Sequence, residues 1–83
     1  MPEKLIGEVS HYYGKINVAI IELKNDLKVG DEIHIVGLNT DFNQTVESMQ
    51  IEHQPVNKAK KGQAIGLLVK EKVHEGAKVY LVA

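Results

Sequence analysis

The sequence predicts an all-β fold in which residues 1–83 form a single six-stranded closed barrel. Short runs rich in valine, isoleucine and leucine follow one another from end to end, with turn residues between them, a pattern typical of small barrels. No linker, repeat or low-complexity segment divides the 83 residues, a length that suits one domain. Only residues 57–61 have a faint helical pattern, enough for one turn. A closed barrel is favoured over an open sheet because closure removes the exposed edges that promote aggregation.

Six predicted strands account for most of the chain, at residues 5–13, 16–23, 31–37, 45–53, 63–69 and 77–82. In the second strand, four consecutive apolar residues at 18–21 predict burial on both faces. In the third, apolar and polar side chains alternate, as in a strand with one buried face. Residues 38–43 are predicted to form a loop, because asparagine and aspartate favour turns. In the fourth strand Val46 and Met49 have opposite parity, which predicts a β-bulge near residues 47–48.

The composition excludes several classes of protein. The chain has no cysteine, so it can form neither disulfides nor thiolate metal sites. Its net charge is −1 and all ten of its basic residues other than histidine are lysines. Because arginine is the usual residue for bidentate phosphate and base contacts, a dedicated nucleic-acid binder is disfavoured, although weak RNA contact stays open. The sequence shows no signal-peptide pattern and no apolar run of the roughly 18 residues that a membrane span needs, which predicts a cytoplasmic protein without membrane contact.

The residues that could carry chemistry do not form a catalytic or metal-binding pattern. His11, His34, His53 and His74 lack the short spacing of metal ligands. Ser10 directly precedes His11, and neighbours on a strand face opposite sides of the sheet, so the two should not meet as nucleophile and base. No G-x-x-x-x-G-K-[ST] motif is present, which excludes this mode of nucleotide binding. The sequence therefore predicts no catalytic residue, no metal site and no cofactor.

Three segments carry a resemblance to a known family. Residues 27–37 read LKVGDEIHIVG and resemble an "L-K-x-G-D-x-I-x-I-x-G" signature. Residues 59–67 read AKKGQAIGL and are similar to "A-x-x-G-x-x-V-G-L", and residues 73–80 match "V-x-x-G-x-x-V-Y". These patterns are those of the second domain of translation elongation factors, such as elongation factor Tu. The resemblance covers residues 6–82 and implies a Greek-key barrel of the reductase, isomerase and elongation factor type.

The same segments also resemble the C-terminal domain of collagenase-like peptidases, a barrel that accompanies a separate catalytic domain. The elongation factor resemblance does not extend to the aminoacyl-tRNA pocket. The glutamate, arginine and asparagine of that pocket fall at Gln50, His53 and Ala64 in this sequence. Both resemblances therefore imply an accessory module.

From these observations we predict a non-catalytic binding module that docks onto a protein or ribonucleoprotein partner. An exposed tyrosine near a barrel rim can anchor a partner or stack on a base, and clustered lysines can face phosphates. Two alternatives stay open: direct, weak RNA binding through the lysine cluster, and a separately encoded accessory domain of a collagenase-like peptidase. The predicted binding residues are Tyr12, Tyr13, His53, Lys58, Lys60 and Lys61.

Overall fold

The computed structural model describes residues 3–37, 39–52 and 54–82, and these ranges contain strands, turns and bends but no helix. The all-β prediction is therefore confirmed for the part of the chain that the structure describes. The strands are β1 (Glu3–Tyr13), β2 (Val18–Leu23), β3 (Leu27–Lys28), β4 (Glu32–Gly37), β5 (Thr40–Thr45), β6 (Met49–Ile51), β7 (Gln54–Val56), β8 (Lys58–Ala59), β9 (Ala64–Leu68) and β10 (Lys78–Val82).

Eight of these strands form one antiparallel sheet in the order β5-β4-β10-β1-β2-β9-β6-β7, and β3 pairs with β8 in a second, two-stranded sheet. The first and last strands are neighbours at the centre of the large sheet. Side chains alternate between the two faces along each strand, and the sheet curls around a single apolar core. The largest fully buried side chains of that core include Ile6, Ile21, Leu27, Ile33, Ile35, Met49, Ile65 and Leu67.

The prediction of a closed six-stranded barrel is wrong, because the large sheet is open and no ladder joins its edge strands β5 and β7 in the described ranges. A buried side chain joins β5 to the end of β9 instead. The Gln44 amide nitrogen donates to the Leu68 carbonyl at 2.9 Å, and its carbonyl oxygen accepts from the Lys70 backbone nitrogen at 2.8 Å. One side-chain amide thus satisfies backbone groups that a closed ladder would have paired.

The region between β4 and β6 differs most from the prediction. Residues 40–45 form β5 rather than a loop, with alternate side chains buried, because tertiary pairing with β4 outweighs the turn preference of the exposed Asp41 and Asn43. The predicted bulge near residues 47–48 is instead a break between β5 and β6. There Val46 leaves the ladder and exchanges backbone hydrogen bonds with Gly30 and Asp31. Register shifts occur in β1, next to Gly7 and between Val9 and His11.

Two further predictions need correction. Residues 57–61 contain β8 rather than a helical turn. The run at residues 18–21 is buried on one face only, because Ala19 and Ile21 lie in the core while Val18 and Ile20 are half-buried on the outer face. Val18 and Ile20 therefore form part of an apolar groove on the outer face.

Candidate functional site

An apolar groove of about 290 Å³ lies on the outer face of the sheet, where β1, β2, β9 and β6 run side by side. The strand register builds it in two rows. Tyr13 is paired with Val18 in one row, and Ile20 is paired with Gly66 in the next. Gly66 is in turn paired with Gln50 on β6. The groove is thus formed by the β1–β2 hairpin together with β6 and β9, which lie much later in the chain.

The floor of the groove depends on the absence of a side chain at Gly66. A Cβ atom built at this position would approach the Val18 Cγ1 atom to 3.3 Å and the Ile20 Cδ1 atom to 3.7 Å. Any larger side chain on this outward-facing position would project into the space between β2 and β6. Glycine at this point of β9 therefore leaves an apolar depression in the sheet surface.

Two turns form the walls of the groove. The turn between β1 and β2 carries Ile16, whose exposed fraction is 61 %, and follows Tyr13, whose exposed fraction is 49 %. The turn after β6 carries Glu52, a lining residue in the left-handed region with φ of 51°. A glutamate in this conformation is uncommon. Its carboxylate forms no hydrogen bond or ion pair with any residue of the described ranges.

The two predicted tyrosines lie on opposite faces of β1. Tyr13 lines the groove. Tyr12 packs against the core, and its hydroxyl donates to the Asn17 side-chain oxygen at 3.3 Å. Tyr12 therefore supports the turn that carries Ile16, while Tyr13 is available to a partner.

The predicted lysines lie in a different hollow, beside the two-stranded sheet. Lys58 and Lys60 line it together with Lys28, which the sequence analysis did not select. The Lys61 backbone nitrogen donates to the Asp26 carboxylate at 3.1 Å, so this residue belongs to the turn beside the hollow. The predicted residue His53 lies outside the described residues. The structure therefore divides the predicted binding residues between two separate surfaces.

A third polar arrangement crosses the other half of the sheet. The His34 imidazole lies between two carboxylates, with Nδ1 at 2.9 Å from the Glu3 oxygens and Nε2 against Asp41. The hydrogen bond to Asp41, followed by that to Glu3, raises the pKa of His34, while burial opposes the change. This group joins β5, β4 and β1 on the outer surface. It could not be predicted from the sequence, because Glu3 is 31 residues from His34 and Asp41 was expected to lie in a loop.

Ser10 and His11 each contact a different residue rather than each other. The Ser10 hydroxyl donates to the Ile20 carbonyl at 3.3 Å, and His11 Nδ1 lies 3.1 Å from the Glu75 carboxylate. Within the described ranges, no group of three histidine, aspartate or glutamate side chains could hold a metal ion. The groove therefore offers apolar surface and one carboxylate, which suit binding.

The family model for the C-terminal domain of peptidase family U32 matches residues 3–81. The chain belongs to this family. Over 78 residues it is 47 % identical to an "uncharacterized protease" of Methanocaldococcus jannaschii, a match that covers 93 % of this chain and 19 % of the relative. Over 77 residues it is 42 % identical to a collagenase of Porphyromonas gingivalis, covering 90 % of this chain and 21 % of that protein. The chain thus spans about a fifth of the length of these curated relatives.

Solved structures show the same fold for a U32 C-terminal domain. Two crystal structures come from the C-terminal domain of a Geobacillus thermoleovorans protein assigned to the U32 peptidases. One superposes with a TM-score of 0.89 at 20 % identity, over 96 % of this chain and 93 % of that one. The other, a selenomethionine variant, has a TM-score of 0.87 at 22 % identity, over 92 % and 96 % of the two chains. At these identities the structural similarity shows only that the fold is shared.

These comparisons decide between the two resemblances. They support the collagenase-like peptidase resemblance and give no support to the identification with elongation factor Tu or to the RNA-binding role. The motifs at residues 27–37 and 59–67 specify turns and close backbone approaches, and such features follow a fold rather than an activity. In the described part of the chain, no helix is long and apolar enough to cross a membrane.

Proposed function

We propose that this chain is a non-catalytic docking domain of a U32-type peptidase and that the apolar groove is its contact with the peptidase body. The outward apolar row formed by Tyr13, Ile16, Val18 and Ile20 carries the proposal. A strand surface that faces water is usually polar, so a contiguous apolar row indicates a covered surface.

Family membership supports the choice of partner. The matching relatives are about five times as long as this chain, and the matching region is a C-terminal domain. A domain of this kind has a much larger body beside it. The relatives are described as a protease and a collagenase, so we assign peptide-bond cleavage to that body and binding to the domain described here.

The shape of the groove supports docking by side-chain insertion. Its volume of about 290 Å³ lies at the lower end of the roughly 300–1,000 Å³ range of ligand pockets and suits one or two apolar side chains of a protein surface. Glu52 at its edge favours a basic or amide-bearing residue next to the inserted side chain, because an unpaired carboxylate at the edge of an apolar contact gains from a donor.

A chimera tests this proposal. In it, the present chain replaces the 78 matching residues of the M. jannaschii relative. We expect the backbone amides of residues 14–17 to exchange hydrogen at least tenfold more slowly in the chimera than in the isolated chain, because docking covers this turn. The substitution Ile16→Asp should abolish the added protection and leave the thermal unfolding of the isolated chain nearly unchanged.

Val29→Asp is the matched control, since Val29 is an exposed apolar residue (38 %) that does not line the groove. The control should keep the protection of residues 14–17. Equal exchange rates in the chimera and the isolated chain would refute docking through the groove.

A further inference from the structure

The hollow beside β3 and β8 contains lysines whose positive charges lie close together, and their repulsion should destabilise the isolated chain. Lys28 and Lys58 are direct cross-strand partners in a ladder of only two residue pairs. Both side chains are exposed, whereas their neighbours Leu27 and Ala59 are buried. The two ammonium groups therefore extend from the same face of a very short sheet.

The hydrogen-bond pattern brings this pair especially close. The Val29 backbone nitrogen donates to the Asn57 carbonyl at 2.8 Å, which makes Lys28 and Lys58 a non-hydrogen-bonded pair. In such pairs the Cα atoms are about 4.5 Å apart, closer than in hydrogen-bonded pairs. Like charges directly opposite each other destabilise a sheet, and a two-stranded sheet has few other contacts to offset the repulsion.

Within the described part of the chain, the lysines of the hollow are neutralised only in part. Lys28, Lys58 and Lys60 line one hollow of about 380 Å³, and none of the three forms an ion pair with a described carboxylate. Asp26 and Asp31 line the same hollow, but each carboxylate accepts a backbone N–H, from Lys61 and Lys28 respectively. These aspartates hold the turns, and three lysines with two aspartates leave one net positive charge.

We propose that this hollow is a binding site for a phosphate group, held by Lys28, Lys58 and Lys60. A phosphate has three strong acceptor oxygens and more than one negative charge, so it can accept from three ammonium groups at once. A carboxylate has two oxygens and a single charge. Lysine binds phosphate as a point charge, so a site without arginine is chemically sufficient. This proposal is independent of the docking role of the groove.

The test uses thermal unfolding with tripolyphosphate as the probe. At ten times its dissociation constant, the probe should raise the unfolding midpoint of the wild-type chain by about 8 °C through mass action. Lys28→Gln and Lys58→Gln should each lose most of this shift. Lys72→Gln removes the same charge from an exposed residue outside the hollow and should keep it. A wild-type chain that tripolyphosphate does not stabilise, or a Lys72→Gln variant that loses the shift, would overturn the proposal.

The substitution Lys58→Glu tests the charge repulsion and the phosphate binding separately. This substitution places opposite charges across β3 and β8, so it should raise the unfolding midpoint without ligand and abolish the response to tripolyphosphate. A lower midpoint in Lys58→Glu would show that Lys28 and Lys58 do not repel each other, which would remove the basis of the proposal.

Two other probes test whether the ligand is a phosphate and which kind of molecule carries it. Polyglutamate of matched charge should stabilise the chain much less than tripolyphosphate, and an equal effect would overturn the assignment to phosphate. Oligouridylate presents phosphates on a nucleic-acid chain, and its affinity should fall with log salt with a slope of about −2 if three lysines act. Because each phosphodiester of oligouridylate has a single negative charge and two free oxygens, oligouridylate should bind more weakly than tripolyphosphate. Tighter binding of oligouridylate would overturn the assignment to a phosphate group held by three ammonium groups.

Discussion

The two halves of the large sheet share an apolar inner face but differ on the outside. In the half formed by β1, β2, β9 and β6, the outer face carries an apolar groove that contains Val18 and Ile20. In the half formed by β5, β4 and β10, the outer face carries exposed or half-exposed polar groups such as Glu32, His34 and Asn43. Since burial on the core side is similar in the two halves, the difference between their outer faces supports our proposal that the half with the groove docks onto a partner.

The polar half satisfies its side chains within the sheet itself. Asn43 donates to the Glu32 carboxylate at 3.3 Å, and His34 bridges Glu3 and Asp41. Surface groups of this kind contribute little stability individually, but they leave no surface suited to an apolar partner. Among the described residues, this comparison favours the half with the groove as the docking surface that we propose.

The largest change in stability is expected where β5, at one edge of the large sheet, approaches the segment after β9. Gln44→Leu removes both hydrogen bonds between β5 and the segment after β9 and leaves the Leu68 carbonyl and the Lys70 N–H unpaired. We expect the free energy of unfolding to fall by about 3 kcal/mol, since each unsatisfied buried group costs about 1–3 kcal/mol. Urea denaturation measures the change.

Asn43→Leu is the control for this substitution, because Asn43 faces outward on the same strand. It should change the free energy of unfolding by no more than about 0.5 kcal/mol. If Gln44→Leu costs no more than this control, the side-chain amide does not join the two halves of the sheet.

A smaller change in stability is expected at Glu52, in the wall of the groove. Glu52→Gly should stabilise the chain by about 0.5–1 kcal/mol, because glycine adopts the left-handed conformation without the cost that a side chain incurs there. Glu47→Gly replaces an exposed glutamate that does not have a positive φ and should destabilise the chain. Chemical denaturation of both variants gives the comparison, and destabilisation by Glu52→Gly would mean that the turn conformation at the groove is not strained.

The smallest effect concerns the pH dependence of the polar half. The pKa of His34 is higher in the folded chain than in the unfolded chain, where it is about 6.5. Its contribution to stability is therefore complete below about pH 6.5 and is lost as the pH rises through the folded-state pKa. The difference in unfolding free energy between the wild type and His34→Gln should shrink as the pH is raised above about 6.5.

Asp41→Asn provides a second measurement for the same group, because the hydrogen bond to Asp41 is the largest cause of the raised pKa. This variant should lose most of the pH dependence. A difference between the wild type and His34→Gln that stays constant across the pH range would contradict the bridging role of His34.

Much of the fold was predictable because it depends on local periodicity. The alternation around Ile33 and Ile35 predicted β4, and the apolar runs near Ile21 and Leu67 predicted β2 and β9. The prediction of a loop failed at residues 40–43, where turn-forming residues occupy the outward positions of β5. Local preference indicates a loop there, but pairing with β4 on one side and the interactions of buried Gln44 make this segment a strand.

The candidate site was only partly predictable. Tyr13 and Lys58 could be selected because an exposed aromatic residue and a basic cluster are visible along the chain. Lys28 could not be selected, since it is thirty residues from Lys58 and becomes its partner only when residues 57–61 form β8 rather than a helical turn. Gly66 lies within the motif at residues 59–67, but its place opposite Ile20 depends on the register of β2 and β9.

The sequence by itself determined the all-β class and the positions of most strands. These properties follow from periodicity and motifs within short segments, where side-chain direction is set by the backbone. Only the tertiary structure decided that the sheet stays open, that Val18 and Ile20 line a groove and that two lysines oppose each other. Each of these depends on the pairing of strands that are far apart in the chain, and the free energy of such pairing resides in contacts between segments.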